Sequence, residues 1–578
     1  MMRLPGCGRA RPSRRILALP LLLLASPAAA QAPPPLPGAI ERATPVEPPS
    51  LGPSLLPPEP QRNSGPGEAR RVPIGGVAIQ GNTALPEAAL APAVRHLAGG
   101  QPSLAEIEDA RLAVLRTYRE AGFPFLAVQA GLGPRPDGRF DLRFEVTEGR
   151  IAEVVLEGDI GPAARQARRF LDPLVGARAI SNAELERALL LVSDIPGVTA
   201  QGVLRPIPDQ PGALQLVVRL ERRAVSGFLN LDNRGYAQTG AWQGLLVGQA
   251  NSLTQFGERT EVSVLQTDGN GQSFLQVAEE VFIGGSGLRL RAWFGTGRAL
   301  PFSPLAAIGY RGDTTVGGAA LIYPVLRSRP MNLTATGQFD GFESSVETNG
   351  ARQSRDFVRA LRLTLDGAAQ DAWLGSAPAA AATTWYLRYA QGLNAFGATG
   401  TGAALASRLD SDFGFSKVAG EVARLQPLFA AGESWLVSAL GVVAGQWSDD
   451  ILPPAEKFYL GGQRLGRGFY AGQVSGDRAL GVTLELQASR SLDVTVPAGG
   501  FRLGTQLYLF RDGGRAWDNG PFGLDRSLDS WGGGVRLQFD ERVQLDVEGV
   551  RRMTRNPDGP GFAELNANAV YARVLVRF

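Results

Sequence analysis

The sequence predicts a transmembrane antiparallel β-barrel of about sixteen strands, preceded by two small α+β modules of the order β-α-α-β-β. Three observations carry this expectation. Helical periodicity disappears after about residue 224, and long, mostly alternating segments then run to Phe578 between clusters of Gly, Asp, Asn and Ser. Before that point, a strand-turn-helix pattern occurs twice. The N-terminus carries the pattern of an export signal.

In that pattern Arg9, Arg11, Arg14 and Arg15 precede the apolar ILALPLLLLASP, and small residues follow at Ala28-Ala29-Ala30. The apolar run falls short of the roughly 20 residues a spanning helix needs, so residues 1–30 read as a cleaved signal peptide. Its removal takes five arginines and no acid, so 58 Lys+Arg become 53 against 55 Asp+Glu, and the formal charge moves from +3 to −2. The basic balance therefore gives no support to a nucleic-acid partner. Cys7, the one cysteine, leaves too, which excludes disulfides and cysteine metal sites from the mature chain. Residues 31–70 hold 12 prolines in 40 positions and read as an extended linker.

Residues 71–149 and 150–223 form the two modules. VAIQGN at 77–82 and VVLEGD at 154–159 are short strands ending on a Gly turn, 77 residues apart. Behind each lies a capping box, Ser103-x-x-Glu106 and Ser181-x-x-Glu184, whose serine and glutamate satisfy the first free N–H groups of a helix. Ile107, Ala110, Val114, Leu115 and Tyr118 make one helical stripe ended at Gly122. Alternating strands close the copies, with Phe140, Leu142, Phe144 and Val146 in the first and Leu214, Leu216, Val218 and Leu220 in the second.

Residues 224–578 form the barrel. In its last strand Val570, Ala572, Val574, Val576 and Phe578 face one way, and Tyr571, Arg573 and Arg577 the other. An aliphatic face opposite an arginine face suits lipid outside and water inside, since in a bilayer only a closed barrel satisfies the backbone of every strand. Between two such strands, residues 452–477 read LPPAEKFYLGGQRLGRGFYAGQVSGD, a glycine-rich cationic stretch. Further on, LFRDGGRAWD contains Phe510-x-Asp512-x-Gly514.

These residues resemble the two-partner secretion transporters of Gram-negative outer membranes (TpsB family, ShlB/FhaC/HecB-type), whose tandem modules are called POTRA domains. The resemblance covers roughly residues 72–578. Gly466-Arg467-Gly468-Phe469 is similar to the V-R-G-F/Y tip of the family's sixth extracellular loop, and Phe510-x-Asp512-x-Gly514 to its F-x-D-x-G strand motif. The first barrel strand, NLDNRGYAQTG, also has the family look around Asn233 and Gly235. The resemblance implies that the loop, about 448–477, folds back into the lumen and that Arg467 pairs with Asp512. Side-chain alternation agrees: Gln506, Tyr508 and Asp512 lie opposite Leu503, Thr505, Leu507 and Leu509. Glu485 and Gln487 sit on the inner face of a neighbouring strand, making Glu485 a second acid for Arg464 or Arg467. Two features depart from the family: residues 31–70 show no stripe for a pore-plugging helix, and Gly466 stands where an aliphatic residue is usual.

No enzyme, cofactor or metal site is expected. GGQRLG is not a phosphate loop, because it matches neither G-x-x-x-x-G-K-[ST] nor G-x-G-x-x-G. His96 is the sole histidine and lies in a module, which leaves a Ser-His hydrolase unsupported. The expected function is an outer-membrane pore that passes an unfolded, TpsA-like exoprotein from periplasm to surface, a haemolysin- or adhesin-type client bound as an extended chain. Outer-membrane lipid is the other partner, and nucleotides and nucleic acids are not. The alternatives are an outer-membrane assembly or insertion factor of the same superfamily and a passive porin or receptor.

Overall fold

The computed structural model describes residues 68–578, apart from 303, 376–377, 433, 497–498, 522 and 560–561. The expected signal peptide and all but the last three residues of the linker lie outside them.

The first module comprises β1 (Ile74–Gln80), α1 (Glu87–Val94), α2 (Leu104–Glu120), β2 (Leu126–Pro134) and β3 (Phe140–Glu148). The second repeats the order with β4 (Arg150–Glu157), α3 (Ala164–Leu171), α4 (Asn182–Ser193), β5 (Val198–Pro206) and β6 (Ala213–Arg222). Each sheet runs β1-β3-β2 or β4-β6-β5, with the first strand parallel to the last and the middle one antiparallel. The capping box at α2 is complete: Ser103 Oγ accepts from the Glu106 N–H, and the Glu106 carboxylate accepts from the Ser103 N–H. The glycine ending each first strand has a shared cause. Gly81 (φ +82°) and Gly158 (φ +101°) present their α-carbons to a carbonyl, and a Cβ there would stand 2.2 Å from Val146 O or 2.1 Å from Leu220 O.

The barrel strands going up from β7 (Val225–Asp232) are β8 (Gln243–Asn251), β9 (Arg259–Thr267), β10 (Gln272–Phe282), β11 (Arg289–Ala299) and β12 (Arg311–Arg327). They continue as β13 (Met331–Thr348), β14 (Ala351–Asp371), β15 (Ala381–Gly392), β16 (Ser416–Ala431) and β17 (Trp435–Trp447). After a long loop come β20 (Arg478–Val496), β21 (Gly499–Trp517), β22 (Arg526–Phe539), β23 (Val543–Arg552) and β24 (Asn568–Arg577). These sixteen strands close through antiparallel pairing of β24 with β7. That closing pairing joins residues 228–232 to 573–577 and is extended by backbone bonds between Gly227 and Phe578 and from the Asn233 N–H to Ala572 O. Leu480, Leu484, Leu486, Leu507, Leu509 and Val570 face outward and are exposed, while Glu485, Tyr508, Asp512 and Tyr571 face inward and are buried. The alternation is that of lipid outside and a polar interior.

Sequence and structure differ at strand ends. The first barrel strand stops at Asp232, so Asn233 and Gly235 belong to the connection that follows it. β11 begins only at Arg289, because Gly284 and Gly287 turn the chain at positive φ before it.

The second module is docked on the barrel's turns. Asp194 binds Arg327 through two bonds at 2.7 and 2.9 Å, and Arg187 Nη2 donates to Pro324 O at 2.9 Å. Phe282, at the end of β10, enters the module's core edge-on to Phe170, with ring centroids 5.3 Å apart.

Candidate functional site

The connection from β17 to β20, residues 448–477, folds into the barrel. It carries a small hairpin, β18 (Phe458–Leu460) against β19 (Val474–Gly476), within the stretch that reads as irregular in sequence. The hairpin forms because Leu460, Leu465, Phe469 and Val474 bury together against Val442, Ala444, Ala516 and Leu528 of the wall. Burying that apolar set gives the loop a core of its own inside a polar lumen.

At its tip Arg467 is 3% exposed. Its Nε and Nη2 donate to the two oxygens of Asp512, each at 3.0 Å, and its backbone N–H donates to Asp512 Oδ2 at 2.8 Å. Nη1 pairs with Glu485 Oε2. The guanidinium carbon lies 3.5 Å from the centre of the Phe510 ring. One planar cation thus meets two carboxylates through its edge and an aromatic ring through its face, an arrangement open to arginine and not to lysine. Glu485 also accepts from Arg536 Nη1 at 2.7 Å and from Gln487 Nε2 at 2.8 Å, so the second carboxylate is shared.

The remaining motif positions follow from packing. Gly466 has φ +96°, and a Cβ there would stand 2.7 Å from Leu528 Cδ1, so Leu528 fills the space an aliphatic tip residue would need. A Cβ on Gly468 would be 2.7 Å from Ser530 Cβ, and the Gly468 N–H donates to Ser530 Oγ at 3.3 Å. Phe469 is fully buried. Gly514 leaves room for Leu460, whose Cδ1 would be 2.9 Å from a Cβ there.

Of the two arginines open to Glu485, Arg467 takes it, together with Arg536, and Arg464 pairs with Glu421 of β16. Three groups went unrecognised in the sequence. Arg234, just beyond β7, donates from Nη1 to Arg467 O at 2.7 Å and pairs with Glu548. Arg552 donates from Nε to Gly468 O, and the Tyr571 hydroxyl donates to the same oxygen at 3.1 Å. None sits in a repeated or spaced motif; the arginine of the Asn-Arg-Gly triplet at 233–235 was the available signal.

The loop's base is held separately. Asp477 is fully buried and accepts from Arg408 at 2.6 and 2.8 Å, from the Leu452 N–H at 3.0 Å and from the Asn519 N–H at 2.7 Å. Glu456 meets Arg362 of β14 at 2.7 Å and Lys417 of β16 at 2.8 Å. Removing one partner from a buried pair of this kind costs about 3–5 kcal/mol, because the other charge stays unpaired.

Comparison with known proteins agrees with this architecture. Residues 308–537 match the family described as haemolysin secretion/activation protein ShlB/FhaC/HecB. The heme/hemopexin transporter protein HuxB of Haemophilus influenzae is 22% identical over 285 residues, 48% of this chain and 49% of its own length. The chain thus spans about half the length of the curated relatives it matches. Among solved structures, CdiB from Escherichia coli superposes with a TM-score of 0.70 at 19% identity, covering 93% of this chain and 95% of its own. CdiB from Acinetobacter baumannii gives 0.60 at 17% identity, covering 88% and 91%.

Tandem modules ahead of a closed sixteen-stranded barrel with an inward-folded loop define an outer-membrane barrel of the POTRA class, its modules on the periplasmic side. Within that class, residues 308–537 resemble the haemolysin secretion/activation proteins of the ShlB/FhaC/HecB type.

Proposed function

We propose that the protein is the outer-membrane pore of a two-partner secretion system, taking an unfolded exoprotein from the periplasm as an extended chain and passing it through the barrel. The observation that carries this reading is the loop in the lumen, held at Arg467, Glu456 and Asp477 by buried ion pairs. A passive porin has no need of a lid clamped by buried charge at three points. A transporter needs a lumen closed at rest and cleared when its client arrives.

The modules fit the receiving role. Their edge strands β2 and β5 read LAVQAGLGP and VTAQGVLRP, with no charge before Arg205. Uncharged edges invite a further strand, and backbone pairing binds an extended client with little demand on its sequence. Export energy would come from folding of the client outside the cell.

The test is secretion of the partner exoprotein by cells expressing a chain without residues 72–223. The barrel should still insert and the exoprotein should stay in the periplasm. Normal secretion by that truncation would overturn the reading, and loss of other outer-membrane proteins in its place would favour an assembly factor.

A further inference from the structure

We infer that the loop tip is a staple across the seam between the first and last barrel strands, with Arg234 and Arg552 as its two positioning residues. The seam is the β24–β7 pairing that closes the barrel. At its upper end the Asn233 N–H donates to Ala572 O at 3.4 Å, and the side chain prolongs the ladder: Asn233 Oδ1 accepts from the Ala572 N–H at 2.8 Å and Nδ2 donates to Val570 O at 3.1 Å. The next residue, Arg234, turns into the lumen and grips Arg467 O. From the other side Arg552, at the end of β23, and Tyr571, in β24, grip Gly468 O. Two consecutive carbonyls of the tip are therefore held from opposite sides of the seam.

The staple is dry. Arg234, Arg552, Tyr571 and Glu548 are all at most 7% exposed, and the Arg234 guanidinium stacks 4.0 Å above the Tyr571 ring. Buried charged donors lose much when an acceptor is withdrawn. Both acceptors are backbone oxygens, so the hydrogen bonds of the grip depend on where the tip lies. Pulling the tip out removes the link through Arg467 O and Gly468 O and leaves the strand ladder, Asn233, and the Arg234 contacts to Glu548 and Tyr571. Clearing the lumen and loosening the seam become one event, and by linkage a loosened seam also favours withdrawal of the tip. This goes beyond the secretion reading, and its test needs no client.

Arg552 is the discriminating residue, because its other hydrogen-bond partners, Asn566 O and Tyr571, lie on its own side of the seam, and its ring contacts, Phe469 and Tyr470, belong to the tip. Hydrogen exchange would be followed in the full chain in lipid nanodiscs, reading residues 225–232 and 568–577. R552Q should speed exchange there by roughly tenfold or more, with residues 416–447 unchanged. Replacing residues 465–469 by a Gly-Ser stretch should do the same, and R552Q should add nothing in that background. R291Q, which removes a wall arginine paired with Glu261 away from both the loop and the seam, should leave seam exchange as it is. Unchanged seam exchange in R552Q, or equal acceleration in R291Q, would overturn the inference. If R552Q disturbs residues 416–447, the tip replacement decides alone, and an unchanged seam in it overturns the inference.

Discussion

Arg467 and Asp512 are joined by three bonds, two from the guanidinium and one from the backbone N–H of the arginine itself. The pairing fixes the side chain and the local chain together, so the carboxylate reads both the identity of the tip residue and its position. R467A and D512A should each destabilise loop docking by about 3–5 kcal/mol, and the double variant should be no worse than the poorer single one. Secretion and protease sensitivity of residues 448–477 provide the readouts. Additive defects would show that the two residues act separately. R467K should resemble R467A more than the parent, since lysine supplies neither the fork nor the stacking over Phe510.

The Gly514 position tests the hairpin's seat. G514V should force Leu460 out of its contact with β21 and raise protease cleavage in 448–477, while G513V, where a Cβ meets nothing within 4 Å, should be tolerated. Equal behaviour of the two variants would show that Leu460 is not seated by Gly514.

Docking of the second module rests on Phe282. F282A removes a buried ring from the module's core and should cost about 3–5 kcal/mol, read as faster hydrogen exchange in residues 164–171 with the first module unaffected. No change there would mean that the polar bonds of Arg187 and Asp194 suffice.

The first module should lose stability in acid through Glu148. Burial alone would raise its pKa, but bonds from Thr83, Tyr118 and the Ala84 N–H outweigh it and hold it below the usual 4.5. A carboxyl depressed on folding contributes its full stability above the unfolded value and loses it as pH falls through the folded one. Exchange in residues 112–120, corrected for intrinsic rate, should therefore accelerate as pH falls below about 4.5. E148Q should be less stable at neutral pH and lack that acid step.

Much of the architecture is legible in the chain. The alternation of Leu507 and Leu509 with Tyr508 and Asp512 reveals the barrel wall, and the serine-glutamate boxes reveal the module helices, because both are local periodicities. The partners of the tip are legible only in part. Arg467 and Asp512 stand out through a family resemblance, while Arg234, Arg552 and Tyr571 come together only when β24 closes on β7, bringing residues over 300 positions apart into contact. Arg464 shows the limit of choosing an acid by strand face: Glu421 and Glu485 both point inward, and which one is free depends on Arg536, a neighbour that no spacing reveals.

The central claim is that the loop must leave its seat for a client to pass. Gly468 and Ser530 offer the direct test: a Cβ on Gly468 would lie 2.7 Å from that of Ser530, so a shift of about 1 Å brings a cysteine pair to bridging geometry. Secretion of the partner exoprotein would be measured from cells carrying G468C together with S530C. The expected result is secretion under reducing conditions, arrest on oxidation and recovery on reduction. Undiminished secretion from a chain whose bridge is fully formed would contradict the claim.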